Sequence, residues 1–179
     1  MFRGGMTAEL MHEALRLLNY KLMSKGLMGE IAIYGGAVMC LVLNVREQTI
    51  DIDAIFEPKM EILKIVSEVA YELGLPDYWL NDGVKGYLSS YNNISEVKRM
   101  SNLVIYAPQL DYLLAMKMLA SRVDHAYEVE DIKYLLRVLN VRTVEVAIGI
   151  LYSYYPSGII PQRTYYLIEE LLEEVWGCV

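Results

Sequence analysis

Two histidines, two cysteines and no long apolar run set the first limits on this chain of 179 residues. A bilayer-spanning helix needs about 20 consecutive apolar residues. Although 55% of the residues are apolar, charged or polar ones interrupt every such stretch, so a soluble protein with no membrane contact is expected. The opening residues MFRGGMTAELMHEA have neither the apolar stretch nor the cleavage site of a secretory signal, which makes a reducing cytoplasm the expected location. Cys40 and Cys178 stand far apart with no C-x-x-C pattern, and this excludes the usual zinc and redox spacings. His12-Glu13 begins like H-E-x-x-H, but Arg16 stands where the second histidine belongs. A metal here would have to be held by oxygen, which suits magnesium or manganese. The net charge of -7 argues against broad electrostatic attraction of nucleic acid and confines any such contact to a specific site.

Hydrophobic periodicity organises the rest. Thr7 is placed to cap a helix reaching about Lys25, with apolar residues at spacings of three and four and Gly26 as its stop. IAIY at 31–34 reads as a strand, Gly35-Gly36 as a turn, and AVMCLVL as a short buried helix. TIDIDAIF at 49–56 is strand-like, with β-branched residues and alternation. EILKIVSEVAYEL, ended by Gly74, is an amphipathic helix. Residues 75–88 mix turn formers with Tyr78, Trp79 and Tyr87 and read as an ordered loop. NLVIYA at 102–107 is a third strand, and Pro108 opens a helix to Arg122. Further helices are expected over 128–139, 143–154 and 163–176. With strands confined to the first 107 residues, the fold class is α+β: a small mixed sheet flanked by helices over 1–107 and a helical part over 108–179, together one compact unit.

TIDIDAIF poses a chemical problem. It reads as a strand with apolar residues on both faces, where an unpaired carboxylate loses its hydration without compensation. Residues i and i+2 share a face and lie about 7 Å apart along a strand, so Asp51 and Asp53 converge and repel unless a cation lies between them. Gly35 and Gly36, between a strand and a helix, could offer backbone N–H groups to a phosphate at the same place. The plainer alternative is a tight turn and two solvated aspartates at a sheet edge.

Gly35-Gly36, a short helix, then Arg46, Thr49 and D-I-D resemble the signature of the nucleotidyltransferase superfamily. With ELGLPDYWLND, the strand ending YAP, and YLLAMKMLASR followed by EDIKYLL, residues 31–139 resemble an uncharacterised bacterial and archaeal nucleotidyltransferase-like family related to AbiEii-type abortive-infection toxins. The resemblance implies the nucleotidyltransferase fold and an enzyme moving a nucleoside monophosphate from an NTP to a hydroxyl of a tRNA, protein or small molecule. Gly35 and Gly36 match its phosphate turn and Asp51 and Asp53 its magnesium- or manganese-binding carboxylates. Lys117 matches its helix lysine, and Glu128 and Asp131 the acidic pair that follows. It also implies the alternative of a non-catalytic nucleotide-binding module in a toxin–antitoxin system, with an antitoxin as partner. One departure favours that alternative: NLVIYA has no acid where active members often present a third carboxylate, so a base would come from Asp82, Glu128 or Asp131.

Other residues carry two readings each. Lys117 interrupts the apolar face set by Leu110, Leu113 and Leu114, so its stem either packs while the ammonium snorkels to solvent or the ammonium meets a carboxylate or phosphate. Glu128 suits a helix N-terminus on electrostatic grounds as well as catalysis. Asp131 is placed to orient Lys117 or Arg122. Arg46 would meet phosphate or form a surface ion pair. Trp79 is read as core before base-stacking platform, and Asn81 as either a base reader or a turn cap.

Overall fold

The Thr7 hydroxyl accepts a hydrogen bond from the Leu10 amide at 3.3 Å, pairing one of the donors that a helix start leaves open. The helix it caps, α1 (Ala8–Ser24), buries Met11, Ala14, Leu15, Leu18 and Leu22 along one face. The computed structural model describes residues 4–120 and 126–177. Ser121, Arg122, His125 and Cys178 lie outside them.

Ahead of α1, β1 (Met6–Thr7) pairs antiparallel with β3 (Gln48–Thr49). Between them come β2 (Gly29–Ile33) and the short helix α2 (Gly35–Leu41). The strand β4 (Ile52–Glu57) leads into α3 (Lys59–Leu73), which ends on Gly74 in the left-handed conformation, a common helix stop. Next come β5 (Leu80–Asn81), a 3-10 segment Gly83–Tyr87, and the strands β6 (Ile94–Arg99) and β7 (Leu103–Pro108). The main sheet has the order β5-β4-β2-β7-β6. It is mixed: β2 runs antiparallel to β4 and parallel to β7, β5 runs parallel to β4, and β6 antiparallel to β7. The architecture is thus α+β with a mixed sheet, as expected.

Three strands were not expected, β1, β5 and β6, and the single strand expected over 49–56 is divided between β3 and β4, with Ile50 and Asp51 in neither. ISEVKR, the sequence of β6, lacks apolar alternation because it is an edge strand, mostly exposed, with a register shift between Glu96 and Lys98. Charges and bulges of this kind protect an edge from pairing with another chain. The two-residue β5 lies inside the predicted loop.

The sheet register decides which residues share a face. A Cβ built at Gly29 would stand 2.8 Å from Leu22 Cδ1 and 3.4 Å from Ile62 Cδ1, so this side faces α1 and α3. Ile31 and Ile33 follow Gly29 at period two, and Ile31 pairs with Phe56 and Ile105. Ile52, Ala54 and Phe56 therefore face the helices, and all three are buried. Asp53, Ile55 and Glu57 occupy the opposite face, where none of the three is fully buried. The expectation of a strand buried on both faces is corrected here: β4 is one-sided, and its carboxylates lie on the side away from α1 and α3.

The chain divides into two compact units. One takes the residues up to Gly86 with Ile94–Pro108, and the other takes Tyr87–Asn93 with the residues from Gln109 onward. The second unit contains α4 (Leu110–Ala120), α5 (Ala126–Val138), α6 (Val144–Tyr154) and α7 (Gln162–Trp176). Every residue of α4 from Tyr112 to Met118 is buried, which makes it the central helix of this unit. Tyrosines bind residues 87–93 to the unit. Tyr112 Oη accepts from the Ser89 amide at 2.9 Å, Tyr155 Oη donates to the Tyr87 carbonyl at 2.6 Å, and Tyr154 stacks on Tyr112 at 4.7 Å. At the other end Trp176 donates to the Val141 carbonyl at 2.8 Å while Arg142 lies 4.4 Å over its ring.

Candidate functional site

The site of the first unit forms where β2 gives way to α2 beside the start of β4. The Tyr34 amide donates to the Asp53 carbonyl at 2.9 Å, which sets the end of β2 against Asp53. The chain then turns at Gly35, whose φ of 60° lies in the left-handed region, a conformation costly for a side-chain-bearing residue. A Cβ at Gly35 would approach Asp53 Oδ2 to 3.6 Å, and one at Gly83 would approach Asp53 Oδ1 to 3.4 Å. The Asp53 carboxylate thus has a bare glycine beside each oxygen. Gly36 is packed still closer: a Cβ there would collide with the Thr49 hydroxyl and stand 3.2 Å from Arg46 Nη1. Arg46 is oriented by its Nε, which donates to the Gln48 carbonyl at 2.9 Å.

Asp51 lies just before β4, one strand step from Asp53, and is half-buried. Burial, followed by the charge of Asp53, raises its carboxyl from the ordinary 3.8 to about 6, against an opposing hydrogen bond from Asn81. That bond, Nδ2 to Asp51 Oδ2, is 3.0 Å long. Asn81 sits in register with Asp53 across β4 and β5. Its Nδ2 also reaches the Tyr78 carbonyl at 3.3 Å, and its Oδ1 accepts from the Gly83 amide at 2.8 Å. The open question over Asn81 therefore resolves into a turn cap that also positions a carboxylate. No sequence pattern could have found the second role, which depends on the register of β4 with β5; N-D-G at 81–83 signals only the turn. Trp79 is core: it is fully buried and donates to the Val66 carbonyl at 3.0 Å.

Asp82 is corrected as a candidate base. Both Lys59 at 2.6 Å and Lys85 at 2.5 Å contact its Oδ2, and these partners lower its carboxyl to about 2, far from the neutral range a general base needs. Lys117, Glu128 and Asp131 belong to the second unit. There Lys117 Nζ meets Asp131 Oδ2 at 2.7 Å, with both side chains more than nine-tenths buried. Lys117 does not snorkel, and Asp131 is the group that orients it. Glu128, in the first turn of α5, is half-buried.

The donor set at Asp51 and Asp53 fits a hard cation. Magnesium keeps several waters and is commonly held by one or two carboxylates together with substrate phosphates. Among the described residues no group of three or more histidines, cysteines or carboxylates is placed to hold a metal, so an all-protein cage is not what these residues offer. No family model, curated protein or solved structure matches the chain.

Proposed function

We propose that the first unit binds a magnesium- or manganese-complexed nucleoside triphosphate and transfers its nucleoside monophosphate to a hydroxyl acceptor, as the resemblance to nucleotidyltransferases implies. The observation that carries this reading is the Asp51/Asp53 pair set beside Gly35, Gly36 and Arg46. Two carboxylates that disfavour each other's charge, with glycines against both oxygens of one of them, suit a cation that brings phosphate with it.

In the reaction, the acceptor oxygen forms a bond to the α-phosphorus while the bond to the bridging oxygen of pyrophosphate breaks, pyrophosphate leaves with the electron pair, and the acceptor's hydroxyl proton passes to solvent water. Asp51 and Asp53 would hold the metal, with Asn81 keeping the Asp51 carboxylate oriented. Gly35 and Gly36 would offer their backbone N–H groups to the phosphates, Gly36 being packed against Thr49, and Arg46 supplies positive charge at the same turn. The bound metal would neutralise charge on the α-phosphate and on the leaving pyrophosphate.

A specific observation favours a second reading, a nucleotide-binding module without turnover whose partner would be an antitoxin. β7 has no carboxylate, and two lysines hold Asp82 ionised with its carboxyl at about 2, so neither is suited to take the acceptor proton. Calorimetry with magnesium and a nonhydrolysable ATP analogue tests what the two readings share. Wild type should bind, and Asp53→Asn should lose metal-dependent binding while its circular dichroism is unchanged. Equal affinity in the two proteins would remove the metal assignment. Pyrophosphate release from NTPs then separates enzyme from binding module.

A further inference from the structure

On the other face of the sheet from Asp53 lies a cavity of about 180 Å³ lined by His12, Leu15, Ile33, Leu41, Val42, Val97, Lys98 and Ile105. Its position follows from the register: Ile33 and Ile105 lie on the face that meets α1, and Asp53 is on the reverse. Six of the eight walls are aliphatic and two are basic. Lys98 makes no ion pair among the described residues, and neither does Arg16, one turn along α1 from His12. In a protein with 23 acidic residues against 16 basic ones, Lys98 thus gives an apolar cavity a cation that no acidic residue pairs among the described residues.

His12 registers this arrangement. Burial, then Lys98, then Arg16 hold its imidazole below the ordinary 6.5, with Glu9 alone acting the other way. Its Nδ1 is shut off from solvent and has no hydrogen-bond partner, an arrangement that costs free energy until an acceptor is found. An acceptor-only anion with an aliphatic body would match the two parts of the site. The carboxylate would meet the Lys98 ammonium and, after a turn of the ring, an imidazole N–H, while the chain displaces water from the aliphatic wall.

We propose that this cavity is a second ligand site, separate from the Asp51/Asp53 site, and that it takes a small aliphatic carboxylate. The size of the cavity limits the ligand to a short chain, and the charge at its mouth selects the anion over a neutral or cationic relative.

The full chain can be titrated with hexanoate by calorimetry, with the His12 ring resonance followed by NMR. Hexanol, hexylammonium and acetate serve as controls for charge, sign of charge and tail. Hexanoate should bind about tenfold or more tightly than each control, the gain expected of one charge-assisted contact or of a buried chain, and it should raise the pH at which His12 titrates. Lys98→Gln should weaken hexanoate by a similar factor without affecting hexanol. Val42→Phe, at a position 39% exposed, should fill the cavity and abolish binding. The proposal is overturned if hexanoate binds no better than hexanol, or if Lys98→Gln leaves its affinity unchanged. Lys98→Gln alters only an exposed side chain and so decides the matter even if Val42→Phe fails to fold.

Discussion

Asp51 is costly to the metal-free protein, and the cost can be measured. Its carboxyl titrates near 6 in the folded chain against an ordinary 3.8, so the folded state holds the proton more tightly than the unfolded state. The stability associated with protonated Asp51 is present below about 3.8 and is lost as pH rises through 6. At about 1.4 kcal/mol per pH unit, ionisation at pH 7.5 costs the folded protein on the order of 1–3 kcal/mol. Asp51→Asn keeps an acceptor oxygen for Asn81 Nδ2 and removes the charge. Urea denaturation at pH 7.5 with EDTA should therefore place the variant's midpoint above that of wild type by this amount, with an unchanged slope. By pH 4.5 the advantage should shrink to about a third, because folded wild type has by then taken up its proton. Magnesium should stabilise wild type by mass action and leave the variant unmoved. The reasoning is refuted if Asp51→Asn is less stable than wild type at pH 7.5, or if its advantage is the same at pH 4.5.

Three further outcomes follow from individual contacts. Lys117→Met removes the ammonium that meets buried Asp131 at 2.7 Å and should cost up to about 3–5 kcal/mol in urea denaturation, much of it recovered in the double variant Lys117→Met/Asp131→Leu; a loss below about 1 kcal/mol would show that Asp131 does not depend on Lys117. Tyr154→Phe removes the bonds from its Oη to Asp111 at 2.8 Å and from Asn93 at 3.0 Å and should cost about 1–3 kcal/mol by the same assay. Because His12 is held below 6.5 in the folded state, the unfolded chain takes the proton first, and stability should fall as pH drops below 6.5; His12→Gln should lessen that fall, and an identical pH profile for the variant would count against the burial of His12.

Local and periodic features carried most of the element assignments. The Thr7 cap, the stop at Gly74, the apolar periodicity of α1 and α3, and Thr143 at the head of α6, whose hydroxyl accepts from the Val146 amide, all act within four or five residues in sequence. Period two pointed to Asp51 and Asp53 as neighbours; Asp51 lies before β4 rather than in it, yet it feels the charge of Asp53, and a glycine pair between strand and helix pointed to the same place. β6 left no such trace, since an edge strand of exposed charged residues shows no apolar alternation. Which face of β4 is covered depended on where Leu22 and Ile62 fall against Gly29, a contact between distant segments. The register of β5 with β4 turned Asn81 from a turn residue into the partner of Asp51, and the convergence of Lys59 and Lys85 on Asp82 removed a candidate base. Helix packing placed Lys117 against Asp131, where the interrupted apolar face alone had allowed either solvent or a partner. Chain-local chemistry determined where the elements run and which carboxylates sit together; only tertiary packing decided which charges are buried, because burial and counter-ions come from residues far apart in sequence.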